Sequence, residues 1–264
     1  MSKSLVTFSF GKNWKSFVRG VTDEDVASAR RDIVSWLGED AIAGKRVLDI
    51  GCGSGIHSYC FHQLGARELI SFDYDQHSIE ATGKLWKQAG RPGNWRVERG
   101  SVLDGGFMTT LGRCQIVYSW GCLHHTGAMW DAVTNAGRAV AESGLLWIAL
   151  YTAGPLYATH LALKERYNRA SAVGKRVMIY RKILQMMWER LHARQNPFTW
   201  NRRTTRGMNV YHDLVDWYGG LPYEVAGVGE VIEFCQKQGF DSKRVLERAE
   251  GANSVYLFQR RAES

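Results

Sequence analysis

Apolar and polar positions along this chain switch between two periods. In TDEDVASARRDIVSWLG, Thr22 stands where a helix N-cap belongs, and Val26, Ala29, Ile33, Trp36 and Leu37 share one helical face before Gly38. RVLDI (46–50) is short, β-branched and almost continuously apolar, the pattern of a strand buried on both faces. A Gly-rich turn and a helix ending at Gly65 follow, then ELISFD as a second strand and a helix from about Gln76 to Ala89. WRVERGSVL reads as a third strand, QIVYSW as a fourth, MWDAVTNAGRAVAE as a helix and LLWIALYT as a fifth strand. Alternation at this spacing predicts an α/β fold with a doubly wound, mostly parallel sheet. The alternation stops after Thr152 and resumes with a helix in VGEVIEFCQKQG. SKRVLERA and SVYLFQRR then flank the turn signal GAN, which predicts a terminal hairpin. The chain divides accordingly into an N-terminal cap with the first helix (1–42), a core (43–152), an insertion (153–227) and the end of the core (228–264).

Composition narrows the class. The 264 residues are 45% apolar and include only 4 Pro, which excludes a mostly disordered chain. MSKSLVTFSFGKNW lacks the apolar run of a signal peptide, and the longest apolar stretch, Leu145 to Tyr151, is far too short to span a membrane. Five cysteines show neither C-x-x-C nor zinc-ligand spacing, so they read as free thiols, and a cytoplasmic location is expected. No metal site is expected. The net charge of +8 is uneven. Twelve Lys or Arg against two Glu lie between Gly154 and Arg206, a local +10.

The sharpest chemical signal is VLDIGCGSG, Val47 to Gly55, between the first strand and its helix. Gly51 and Gly53 let the backbone approach a ligand with no Cβ in the way. Asp49 sets this loop apart from a dinucleotide site. A carboxylate there repels a pyrophosphate and suits a cationic group, and the third glycine of G-x-G-x-x-G is missing. Asp73 ends the second strand about twenty residues later, where an acid accepts bonds from ribose hydroxyls. Tyr74 beside it can lie against an adenine ring, and Asp75 is the better helix cap.

VLDIGCGSG, FDYD, RGSVLD and VYSWGCLHHTG, in this order and followed by a strand and a terminal hairpin, resemble the class I S-adenosylmethionine-dependent methyltransferases. The likeness covers residues 43 to 152 and 228 to 261, and is nearest the branch compared with quinone-pathway methylases. It implies a seven-stranded Rossmann-like sheet with a helical lid insertion, and S-adenosylmethionine as cofactor. By resemblance, Asp49, Gly51 and Gly53 hold the methionine part, Asp73 the ribose, and Ser101 and Val102 the adenine edge, with Trp120 beside the cofactor. Many relatives carry an acid where Ser101 stands, and Glu142-Ser143-Gly144 replaces the usual Pro-Gly-Gly turn.

Methyl transfer needs alignment and, for a protonated acceptor, a base. His124 and His125 follow the fourth strand at the sheet edge where such folds bind ligands. Relatives carry His at the position of His124, as a catalytic group or as a hydrogen-bonded residue shaping the loop. In NVYHDLVDWYGGLPYE, a helical start puts His212 and Asp216 on one face, so the carboxylate can orient the imidazole, and Gly219-Gly220 and Pro222 end the helix. FSFGKNWKSF either closes over the cofactor through Asn13 or Trp14 or packs as a plain strand. Within the insertion, KRVMIYRKILQMMWERLH places Val177, Tyr180, Leu184, Met187 and Leu191 on one stripe between basic flanks. The stripe is expected to face inward as a lid over the acceptor. A membrane surface is the second partner class, and RNA the least favoured for want of an RNA-binding module. The expected reaction is methylation of an oxygen or nitrogen of a small or lipid-like acceptor. The alternatives are an RNA methyltransferase and a non-catalytic methyltransferase-like subunit.

Overall fold

The computed structural model describes residues 8–201 and 210–262. The chain opens with helix α1 (Phe10–Phe17) and α2 (Asp23–Leu37). Thr22 caps α2 through a reciprocal box with Asp25, as the sequence predicts. Strand β1 (Arg46–Ile50) leads into α3 (Ile56–Gln63), β2 (Glu68–Asp73) into α4 (Gln76–Gln88), and β3 (Trp95–Arg99) into the short α5 (Gly105–Thr110). Strand β4 (Cys114–Trp120) is followed by α6 (Met129–Arg138) and β5 (Val140–Tyr151). The insertion folds as α7 (Tyr157–Arg169), α8 (Ala172–His192) and α9 (Val210–Gly219). Helix α10 (Val228–Lys237) and strands β6 (Phe240–Leu246) and β7 (Asn253–Arg260) finish the chain.

The sheet order is β3-β2-β1-β4-β5-β7-β6. The first five strands run parallel, and β7 pairs antiparallel with both β5 and β6. The order reverses between β1 and β4, which opens a crevice at their C-terminal ends. Two apolar layers seal the sheet faces. One gathers Ile70, Phe72, Val117, Ile148 and Tyr256, and the other gathers Ile33, Phe61, Tyr118 and Trp147. The third strand is shorter than WRVERGSVL suggested. Its pairing with β2 ends at Arg99, and Gly100 to Asp104 form the loop below the crevice.

The insertion corrects the expectation of an inward-facing stripe on α8. Val177, Tyr180, Leu184 and Leu191 point outward, at 53%, 57%, 63% and 59% exposure, and α8 contributes nothing to the central cavity. Its inner face is Ile179 and Ile183, packed with Tyr167 and Tyr218 alongside Met178 and Met187. The wall over the cavity comes instead from α9 and from His160 of α7. The basic run is not wholly surface either. Lys164 is fully buried, while Arg202, Arg203 and Arg206 lie outside the described residues.

Candidate active site

The crevice is one cavity of about 1310 Å³. All eight positions expected to hold the cofactor line it: Asp49, Gly51, Gly53, Asp73, Tyr74, Ser101, Val102 and Trp120. Gly51, Gly53 and Gly55 have φ of 72°, 55° and 79°. At Gly51 a Cβ would also stand 2.3 Å from Cys122 Sγ, so the close approach of the β1 and β4 loops requires glycine. The loop is braced by Gly51 N–H and Cys52 N–H donating to the Phe72 carbonyl at 2.8 and 3.1 Å.

Two carboxylates stand under this loop. Ser58 donates to Asp49 at 2.5 Å, the two hydroxyls of Ser58 and Ser71 are 2.7 Å apart, and Trp95 Nε1 donates to Ser71 at 2.9 Å. That buried chain fixes Asp49 at the end of an apolar strand. Asp73 accepts from Gly53 N–H at 3.1 Å and Asp75 N–H at 2.8 Å. Burial pushes Asp49 up to about 7, against the pull of Ser58, and the neighbouring Asp73 pushes it further. Burial likewise raises Asp73 to about 6, opposed by the backbone N–H groups of Asp75 and Gly53. Among the described residues neither carboxylate forms an ion pair.

The N-terminal segment is a helix rather than a strand, and it closes over the loop. Gly11 N–H and Ser9 Oγ both donate to Asp75, at 3.0 and 2.7 Å, while Asp75 also caps α4 through His77 N–H. A Cβ on Gly11 would stand 2.5 Å from Ser78 N, so only glycine lets α1 lie this close to α4. One turn later Trp14 packs against Gly53, 3.1 Å from where a Cβ would stand. Asn13 reaches the other way and donates to Asp216 at 2.9 Å and to the His212 carbonyl at 3.0 Å.

The histidines are placed differently from expectation. His124 is fully buried, does not line the cavity, and neither ring nitrogen has a hydrogen-bond partner among the described residues. Burial holds it neutral, with His125 and Lys164 pushing the same way. His125, the next residue of the same 3-10 turn, lines the cavity and bonds the Pro222 carbonyl through Nδ1 at 2.6 Å. That partner assigns the proton to Nδ1 and leaves Nε2 as an acceptor. Burial, and next Lys164, lower His125 to about 3. His212 packs edge-on against Phe17 outside the cavity lining, whereas Asp216 lines the cavity.

Lys164 escaped the sequence reading. Its ammonium donates to the Trp217 carbonyl and sits over the rings of Tyr151, Trp217 and Tyr223, 5.3, 4.5 and 4.6 Å from their centroids. Burial lowers it to about 7, against the pull of Asp216. Asn168, one turn on, donates to the Gly219 carbonyl at 2.8 Å. Together they clamp the end of α9, so that Asp216 and Trp217 face the cavity. No sequence signal separates this lysine from the surface ones, because its box is assembled from β5, α7 and α9.

Residues 23–201 match a family model described as a methyltransferase domain. Among curated proteins, the ribosomal protein L11 methyltransferase of Bordetella parapertussis is 41% identical over 49 residues, 19% of this chain and 16% of that protein. Its counterpart in Mannheimia succiniciproducens is 42% identical over 57 residues, 22% of this chain and 20% of that protein. The match thus spans between a sixth and a fifth of the length of these curated relatives. Two solved structures share the fold. The magnesium protoporphyrin IX methyltransferase of Synechocystis PCC 6803 with bound SAH has a TM-score of 0.56 and 13% identity, over 94% of this chain and 93% of that one. An S-adenosylmethionine dependent methyltransferase from Mesorhizobium loti has a TM-score of 0.53 and 14% identity, over 92% and 100%. None of these four is a quinone-pathway methylase.

Proposed function

The chain belongs to the class I methyltransferases, which use S-adenosylmethionine, and from that premise we propose that it methylates an oxygen or nitrogen of a small or lipid-like acceptor. One observation carries the reading: the cavity that holds the Gly-rich loop and its two carboxylates runs on, unbroken, to an aromatic wall. That wall includes Phe8, Phe10, Tyr151 and Trp217, enough apolar surface for a flat or hydrocarbon acceptor.

The residues fit the cofactor. Asp49 is buried and Asp73 half-buried, both without a cation partner among the described residues, and the positive-φ glycines leave the backbone open beside them. Asp49 would take the ammonium end and Asp73 the ribose hydroxyls, with Tyr74, Ser101 and Val102 around the base and Trp14 over the loop. When bound, the cofactor supplies an electrophilic methyl group. The protein's share is alignment and proton handling. His125 Nε2 accepts a hydrogen bond from the acceptor and orients it. Burial and the nearby Lys164 disfavour its cationic form, so it positions the acceptor rather than holding a proton. Asp216, held by Asn13 and beside the Lys164 ammonium, is the carboxylate placed to take that proton.

Incubation of the enzyme with methyl-labelled S-adenosylmethionine and a cell extract tests the acceptor class. Label is expected in the solvent-extractable fraction, and Asp216→Asn is expected to slow its appearance roughly 10²-fold or more. Label confined to RNA or protein would contradict the reading.

A further inference from the structure

Helix α8 carries two apolar faces, and only one of them is used. Ile179 and Ile183 are buried against Tyr167 and Tyr218. About a third of a turn away, Val173, Val177, Tyr180, Leu184, Trp188 and Leu191 form a second stripe, each more than half exposed. Half of the exposed large apolar side chains among the described residues thus sit on one face of one helix. A stripe this long is outside what scattered surface residues produce. Since α8 takes no part in lining the cavity, the stripe does not serve the acceptor site.

The edges of the stripe say what covers it. Arg176 and Arg181 are exposed and flank it on opposite sides, and Arg194, also exposed, lies just past the end of the helix. Glu189 is the helix's one acid, turned away from the stripe and bonded to Gln185. A second copy of the chain would bring arginine edges against arginine edges in either orientation, with no acid to answer them. RNA would answer the arginines and leave six apolar side chains in water. A bilayer with anionic headgroups satisfies both sets. The stripe enters the acyl boundary, the arginines meet lipid phosphates, and Tyr180 and Trp188 are residues suited to that depth. No helix among the described residues is long and apolar enough to cross a membrane, so contact lies in the plane of the surface.

We propose that the outer face of α8 is a docking surface for anionic lipid bilayers, holding the enzyme in the interfacial plane. The inference is independent of the methyl-transfer reading, since it draws on no residue of the cavity.

Vesicle flotation of the full chain tests it, with phosphatidylcholine vesicles compared with vesicles that also contain phosphatidylglycerol. Binding is expected only with the anionic lipid and is expected to weaken in high salt. Two double variants separate the contributions. R176E/R181E should lower partitioning by about thirtyfold or more, for two basic residues lost near an anionic surface. L184S/W188S should lower it about tenfold or more, for the lost apolar contact. Unchanged cofactor binding and unchanged thermal unfolding would show that both variants remain folded. Three outcomes would overturn the proposal: no flotation with anionic vesicles, equal flotation of both variants and the parent, or a dimer in sedimentation velocity that L184S/W188S dissolves. Salt-sensitive binding of single-stranded RNA, indifferent to L184S/W188S and stronger than vesicle binding, would overturn it as well.

Discussion

Asp49 and Asp73 are raised because burial taxes their charge, and the sign of the pH effect follows. In the ligand-free protein these acids hold their protons more tightly than in the unfolded chain. Their contribution to stability is therefore fully present below about pH 4, where the unfolded carboxyls also protonate, and is lost as pH rises through about 6 and about 7. Cofactor affinity runs the other way, since the ammonium needs Asp49 ionised and the ribose hydroxyls donate best to an ionised Asp73. Affinity should rise between pH 5 and pH 8, by up to about tenfold per unit for each proton released. Calorimetry at pH 6.5 in two buffers of different ionisation enthalpy should detect that release, and a flat profile would count against Asp49 as the cation's partner. Asp73→Asn should weaken binding by ~1–3 kcal/mol and leave one step in the profile. At this scale the motif residues were legible, because loop chemistry is local in sequence: a glycine at positive φ and an acid at a strand end stay together. Which of two adjacent histidines faces the cavity was not. His124 and His125 share a turn, and their orientation is decided by the Pro222 carbonyl and the Tyr151 ring, far away in the chain.

Among the elements, α1 has the most direct bearing on function. It ties the core helix α4, through Asp75, to the insertion helix α9, through Asp216, and lays Trp14 on the Gly-rich loop. Gly11 is the tight point of that strap. Gly11→Ala should force α1 off α4, costing about 1–3 kcal/mol of local packing. Cofactor affinity should fall, with global unfolding less affected because the sheet core is untouched. Hydrogen exchange confined to residues 10–17 would report that opening, and unchanged exchange there would show that α1 is not under strain from the added methyl. The sequence showed aromatics alternating with polar residues here and left strand and closing segment both open. The resolution lies in Gly11 and Asp75, sixty-four residues apart. Helix α8 taught the opposite lesson. Its apolar stripe was plain in the sequence, but periodicity cannot say which of two stripes meets the core, and the inner one consists of Ile179 and Ile183 rather than Leu184 and Leu191.

The whole molecule follows from strand–helix alternation up to Thr152 and from the hairpin after α10, both of which the hydrophobic pattern carried. What it could not carry is the docking of the insertion, because Lys164, Trp217 and Tyr223 meet only after β5, α7 and α9 are assembled. That assembly adds α9 and His160 to the wall of the crevice, and cofactor binding is the claim on which the rest depends. Titration calorimetry of the full chain in chelator measures it most directly. S-adenosylmethionine and its demethylated product should each bind at one site per chain, with no heat from a nicotinamide dinucleotide. Silence with both sulfur ligands, together with saturable binding of the dinucleotide, would contradict the account.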